Sequence, residues 1–380
     1  MSTLTCQRDA YRRTALARVL DVIEHTEGVE VRLSETLLYP EGGGQPDDHG
    51  TIDEAPVRAL RKGTDGAVWH RLDRPPRGAE AVVTVDWARR FDHMQQHTAQ
   101  HLISAIAADQ LGAETVAFHL RPDVCDIDMG RVLTPAEVVD LEGRVNDAIR
   151  ADRPVRARLA TPAELDGVRS RGLPANFQGS VRLVEIEGLD SNTCGGTHVS
   201  RLGALQAVSL LPPQKNKGGS KLRYLAGGRV VAYLRAVYDR EHALSKLLSS
   251  GPPAHADAVR RLQQGTKDSG RAQKALMAEL AGLQGHALAQ QPQPHLHRAD
   301  ADMGFLRAAA SAAVDAAPSR IFLLTGGGMF MLAGPVGRVA ELGPKVAALF
   351  GGRGGGARGR FQGRAASLDQ LEAVLGLLVD

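Results

Sequence analysis

Two short stretches hold side chains able to do chemistry together. His97-Thr98-Ala99-Gln100-His101 carries two imidazoles four residues apart, and Cys194-Gly195-Gly196-Thr197-His198 carries a thiol and an imidazole at the same spacing. On a helix, residues i and i+4 lie one above the other, so the first pair can converge on one ion. Three nitrogens and one thiolate sulfur are the ligand set and count of a tetrahedral zinc site. Spacing alone leaves two readings open. Four protein ligands normally mark structural zinc, whereas a catalytic ion keeps a position for water or substrate.

The elements that must position these residues follow from local signals. A helix starting near Asp86 or Asp92 and running to about Gln110 carries the first pair, because Asp is a good N-cap and Gly112 a stop signal. Leu102, Ile103 and Ile106 fall on one face of it, and His93, His97 and His101 fall roughly opposite. The histidine stripe is therefore either a solvated polar face or a set of ligands. The second pair follows a strand expected at 182–186. Between the two lie a strand at 124–129 and a helix from Thr134-Pro135-Ala136-Glu137 to about Arg150, opened by a capping box.

Ahead of the helix, residues 1–88 suggest short strands in a small β-barrel-like domain, with alternation at 29–33 and β-branched residues at 79–85. Within it, Leu38 to Gly50 contains Gly42, Gly43 and Gly44, then Gln45 and Asp48. Consecutive glycines permit a tight hairpin turn, or a close approach of backbone N–H groups to a ligand. No Gly-Lys-Ser/Thr follows, so this is not a Walker loop. Residues 229–294 suggest a helical hairpin broken at Gly251-Pro252-Pro253, which serves as a spacer or an oligomerisation arm. From 295 the texture is α/β. Strands are expected at 321–324 and 329–333, helices at 344–349 and 367–378, and between the helices a glycine cluster at 351–363 with Arg353, Arg358 and Arg360. That cluster can cradle phosphate or form a flexible loop. The expected class is α+β throughout.

Composition narrows the partners. A net charge of +3 permits an RNA partner without demanding one. Lys215, Lys217, Lys221 and Arg223, just after the second pair, suit a phosphate-contacting rim. Three cysteines in 380 residues argue against a disulfide scaffold and for a reducing compartment. The N-terminus lacks the apolar core of a signal peptide, and no run is long enough for a membrane helix. A soluble cytoplasmic protein without membrane contact is expected.

At Tyr39-Pro-Glu-Gly-Gly-Gly-Gln-Pro-x-Asp-x-Gly50, His97-x-x-x-His101 and Cys194-Gly-Gly-Thr-His198, the chain resembles the alanyl-tRNA editing proteins, free-standing relatives of the editing half of alanyl-tRNA synthetase. The looser C-terminal region resembles a DHHA1 module behind a helical arm. The resemblance covers nearly the whole chain. It implies a trans-acting hydrolase of mischarged tRNA(Ala), chiefly the seryl and also the glycyl ester. It further implies zinc held by His97, His101, Cys194 and His198, with His93 one turn away as the alternative register. Phe118 and His119 lie where the family shapes its amino-acid pocket, and Thr98, Gln100 and Thr197 flank the ligands. The synthetase's aminoacylation domain and ATP site are not expected here, which sets aside a ligase fragment. A homodimer through the arm or the C-terminal domain is expected. The rival expectation is a non-catalytic tRNA-binding protein with structural zinc.

Overall fold

The structure is a computed structural model that describes residues 3–165, 168–169 and 180–378. Among the described residues there are eight α-helices: α1 Thr5–Arg8, α2 Trp87–Leu111, α3 Pro135–Arg150, α4 Gly228–Leu248, α5 His255–Gln290, α6 Met303–Ala316, α7 Val336–Leu349 and α8 Leu371–Leu378. The class is mixed α+β, as the alternation of strand and helix signals led one to expect. The chain divides into two compact units, Met1–Glu241 and His242–Asp380.

The first unit opens on a curled antiparallel sheet of seven strands. Thr14–His25 is its spine. The first half of this strand pairs with Glu80–Val85 and the second half with Gly28–Leu33. A register shift between Val19 and Asp21 interrupts the second pairing, and such a bulge bends the strand. Gly28–Leu33 and Glu80–Val85 alternate in burial, so Val29, Val31, Leu33, Ala81, Val83 and Val85 fill the inside.

Helix α2 follows. Asp86 accepts a hydrogen bond from the Arg89 amide at its start, and Gly112 ends it in the left-handed conformation at φ 60°. Its apolar residues Leu102, Ile103 and Ile106 pack into a large core with Ile127, Met129, Leu141, Val145, Leu222 and Tyr224. The opposite side is no solvated face: His93, Gln96, His97, Thr98, Gln100 and His101 are also buried. Two further antiparallel sheets belong to this unit. One runs Thr115–His119, Cys125–Met129, Gly219–Ala226, Val208–Leu210, with Gln214–Asn216 also on Gly219–Ala226; the other runs Val155–Ala160, Val181–Ile186, Asp190–Thr193.

The second unit is built on a five-stranded sheet in the order His295–His297, Phe322–Gly326, Met329–Ala333, Arg360–Arg364, Arg353–Ala357. Both faces are covered, so its central strands are continuously apolar. Leu323, Phe330 and Leu332 face α7 and α8, and Phe322, Leu324 and Met331 face α5 and α6. Gly285 lets α5 approach α6 closely, because a Cβ there would lie 2.2 Å from the Ala309 carbonyl oxygen. The arginine and glycine run at 351–363 is not a loop. It forms two antiparallel strands turning at Arg358 and Gly359, both at positive φ. No helix among the described residues is long and apolar enough to cross a membrane.

Candidate metal centre and cleft

The two pairs meet. Atoms of His97, His101, Cys194 and His198 able to ligate a metal lie within 4.8 Å of one another. Cys194 Sγ is 3.4 Å from His97 Nε2 and 3.2 Å from His198 Nε2. The edges of a zinc-sized tetrahedron with such ligands are about 3.3–3.6 Å. Each imidazole is braced on its other nitrogen. Nδ1 of His97 is 2.9 Å from Gln45 Oε1, Nδ1 of His198 is 3.1 Å from Thr98 Oγ1, and Nδ1 of His101 is 3.3 Å from Asp190 Oδ2. An amide or carboxylate oxygen can only accept, so His97 and His101 carry their proton on Nδ1 and turn Nε2 to the centre.

The electrostatics favour a cation. Burial alone would raise the Cys194 thiol, but His97, His198 and His101 reverse the sign and hold it well below its ordinary range. Burial opposes charge on His101, yet Cys194 and Asp190 outweigh it and push this imidazole up to about 9. Burial drives His198 down to about 3 despite Cys194. The cluster thus holds a thiolate whose charge is balanced by a protonated His101; a divalent metal would take over that positive charge and release the His101 proton. The donor set and its spacing fit such an ion.

The glycine loop is part of this centre. Gly42 and Gln45 bridge to each other, and Gly43 and Gly44 turn at φ 57° and 81°. Gln45 is fully buried. Its Oε1 accepts from the Thr197 amide (2.9 Å) as well as from His97, and its Nε2 donates to Thr197 Oγ1 (2.9 Å). Asp48 accepts from the Tyr39 amide and pairs with the buried Arg90 guanidinium beneath the loop. Arg182 donates to the carbonyls of Cys194 and Gly196, 2.8 Å each, and so fixes the turn that presents the thiolate.

Beside the cluster lies a cleft of about 550 Å³ lined by Gly43, Gly44, His97, Gln100, His101, Ser104, Glu114, Thr115, Phe118, Arg169, Asp190, Asn192 and Cys194 among others. A family model described as the second additional domain of threonyl and alanyl tRNA synthetases matches residues 181–223, the stretch holding Cys194 and His198. The alanyl-tRNA editing protein Aarsd1 of Danio rerio is 38% identical over 399 residues, covering 98% of this chain and 96% of that protein. Its counterpart in Rattus norvegicus is 39% identical over 402 residues, 99% and 97% of the two chains.

The chain belongs to the alanyl-tRNA editing protein family.

An alanine–tRNA ligase of Halorubrum lacusprofundi is 31% identical over 325 residues, 79% of this chain but 34% of the ligase. In this editing-protein chain, the residues expected from sequence fall in different places. Gly43, Gly44, Gln100 and Phe118 line the cleft with three of the four candidate ligands. Thr98, Thr197, Gln45 and Asp48 are buried behind the ligands, where they hold imidazoles and loops in place. His119 sits on the same strand as Phe118 but turns to Asp126, 2.8 Å away, and away from the cleft. Lys215 and Lys217 are exposed. Lys221 is engaged by Asp126 and Asp128 at 3.0 and 3.1 Å, and Arg223 is half-buried. Arg353, Arg358 and Arg360 lie on the exposed hairpin of the second unit, Arg360 donating to Ser311. His93 is buried outside the cluster, its Nδ1 without a hydrogen-bond partner among the described residues.

Sequence reasoning missed Asp190, Arg182, Ser104 and Thr115. Asp190, four places before Cys194, and Ser104, three places after His101 on α2, carried a local signal. Arg182 and Thr115 touch the site through folds of the chain that no short window records.

Proposed function

We propose that this chain is a trans-editing hydrolase that deacylates tRNA(Ala) carrying the wrong amino acid, chiefly Ser-tRNA(Ala), with Gly-tRNA(Ala) as a second substrate. The observation that carries this reading is the braced four-donor cluster opening on a cleft, in a chain matched end to end by alanyl-tRNA editing proteins. We assign Zn²⁺ to His97, His101, Cys194 and His198, because one thiolate and three imidazoles suit this ion above harder cations. When bound, zinc would supply a fixed positive charge beside the ester that terminates the tRNA.

This chain's own residues do the rest. Gln45 and Asp190 hold His97 and His101 in one tautomer and orientation, and Thr98 orients His198. Gly43 and Gly44 present backbone, free of side-chain bulk, at the wall of the cleft. Phe118 closes over Gly44, leaving no room for a Cβ there (2.7 Å to the ring), and so limits the side chain admitted and the water around it. The aminoacyl ester is already activated, so positioning with modest proton-transfer help, typically worth ~10²–10⁴-fold, suffices. Lys215 and Lys217, with Arg353, Arg358 and Arg360, serve as contacts for the phosphate backbone. We read the chain as a β-domain at 1–88, an editing domain at 89–228, a helical linker at 229–294 and a DHHA1-type module at 295–380, acting in the cytoplasm. Exposed Leu262, Leu276 and Leu283 on α5 offer a surface for homodimerisation.

The second reading, a non-catalytic tRNA-binding protein, is favoured by the full ligand count, which is that of structural zinc. Incubation of the purified chain with seryl- and alanyl-tRNA(Ala) separates the two. The editing reading expects loss of the seryl ester, sparing of the alanyl ester, and loss of both metal and activity in Cys194→Ala. A zinc-loaded sample that leaves every aminoacyl ester intact leaves the binding reading standing.

A further inference from the structure

Residues 7–13 are pinned along the turn that presents Cys194. Gln7 Nε2 donates to the Gly195 carbonyl at 2.9 Å, and the Tyr11 hydroxyl accepts from the Ser200 amide at 3.0 Å. Arg90 donates to the Ala10 carbonyl, and the Val85 amide donates to that of Arg13, 2.9 Å each. Gly195 lines the cleft, so the segment begins at the cleft's edge. It ends beside Trp87, which precedes His97 on α2 by about 15 Å of helix axis.

What the segment carries there is an aromatic step topped by an arginine. Tyr11, Trp87 and Phe91 make successive ring contacts, with centroids 5.6 and 5.4 Å apart. The Arg13 guanidinium lies over the Trp87 ring, 4.1 Å from its centroid. Trp87 and Phe91 are half-buried against the apolar core, and packing accounts for them. Packing does not account for Tyr11 and Arg13, which are both exposed.

Charge sets this step apart from the chain's other tryptophan. Arg32 and Arg61 lie over Trp69, and each is paired with a carboxylate, Asp21 and Glu30 respectively. Arg13 has no carboxylate partner among the described residues. The acids around it in sequence are engaged elsewhere. Asp9 accepts from the Tyr11 amide, Asp86 caps α2 through the Arg89 amide, and Glu35 pairs with Arg12. An exposed ring beside an unneutralised guanidinium held over an indole is a surface suited to single-stranded nucleic acid. Every base offers a π-face to stack, and arginine adds cation–π attraction.

We propose that Arg13, held over Trp87 and flanked by Tyr11, stacks a base of the single-stranded 3′ end of the tRNA while the aminoacyl ester at its tip enters the cleft. The identity of the RNA rests on the editing reading above. The strand between that base and the ester then passes the edge where Gln7 meets Gly195.

The test is binding of uncharged tRNA(Ala), with its 3′ single strand intact or removed, to the full-length zinc-loaded chain. In the parent, removal should weaken binding. In Arg13→Ala the same removal should cost about tenfold less, the share that stacking one base contributes. Arg13→Lys keeps the charge but not the planar guanidinium, and it should behave as Arg13→Ala does. An equal cost of removal in the parent and in Arg13→Ala overturns the proposal and leaves these rings as packing alone. An Arg13→Lys chain that matches the parent also overturns it, and assigns the contact to a phosphate. Hydrolysis plays no part in this measurement. A parent chain that shows the Arg13-dependent contact yet cleaves no aminoacyl ester keeps the platform and refutes the editing reading alone.

Discussion

At the scale of single residues, the metal centre depends on what is absent as much as on what ligates. A Cβ on Gly196 would lie 2.3 Å from His97 Cε1, 2.4 Å from its Nδ1 and 2.7 Å from Gln45 Oε1. No side chain fits there unless His97 leaves its brace. A Cβ on the neighbouring Gly195 would meet only Gln7 Nε2, at 3.4 Å. The pair therefore makes an internal control. Gly196→Ala should weaken metal binding by about 10–100-fold, the usual effect of losing an outer-shell partner, while Gly195→Ala should bind as the parent does. Competition against a chromophoric chelator measures both. Equal affinities in the two variants would mean that the turn yields and that Gln45 does not fix His97.

At the scale of elements, α3 shows how a local signal sets a boundary. Thr134 Oγ1 accepts from the Glu137 amide at 3.2 Å, and Glu137 Oε2 accepts from the Thr134 amide at 2.7 Å. Thr134→Ala should cost about 1 kcal/mol of stability, read as a lowered urea midpoint at unchanged slope. A variant as stable as the parent would show that packing of Val138, Leu141 and Val145 holds this helix without its cap. The same elements explain what could be read beforehand. The ends of α2 and α3 were legible because caps and stops act over four residues. The alternating strands at Gly28–Leu33 and Glu80–Val85 were legible because burial follows side-chain period. The burial of the histidine face of α2 was not, because it comes from the glycine loop and the Cys194 turn, reached through Gln45 and His198. Nor was the hairpin Arg353–Arg364, since glycine carries no strand propensity and its pairing comes from the sheet beside it. The bulge at Val116 belongs with these, set by a partner strand rather than by its own residues.

At the scale of the whole chain, the described residues form two units with separate apolar cores, and all four candidate ligands belong to the first. Metal binding should then stabilise one unit and leave the other unaffected. The ligands come from α2 and from the Cys194 turn, so the ion ties together segments nearly a hundred residues apart. A ligand that binds only the folded state adds about 4 kcal/mol when free at a thousand times its dissociation constant. The chain supplies its own reporter for this, because both of its tryptophans, Trp69 and Trp87, lie in the first unit. Melting followed by tryptophan fluorescence sees that unit alone, whereas far-ultraviolet circular dichroism sees both. Chelation should lower the fluorescence-detected midpoint. It should split the circular dichroism trace into a component that moves with it and one, from the α5–α6 and sheet core, that stays. A single transition that shifts as a whole by both probes would mean that the two cores unfold cooperatively, and that the metal's stabilisation reaches the second unit as well.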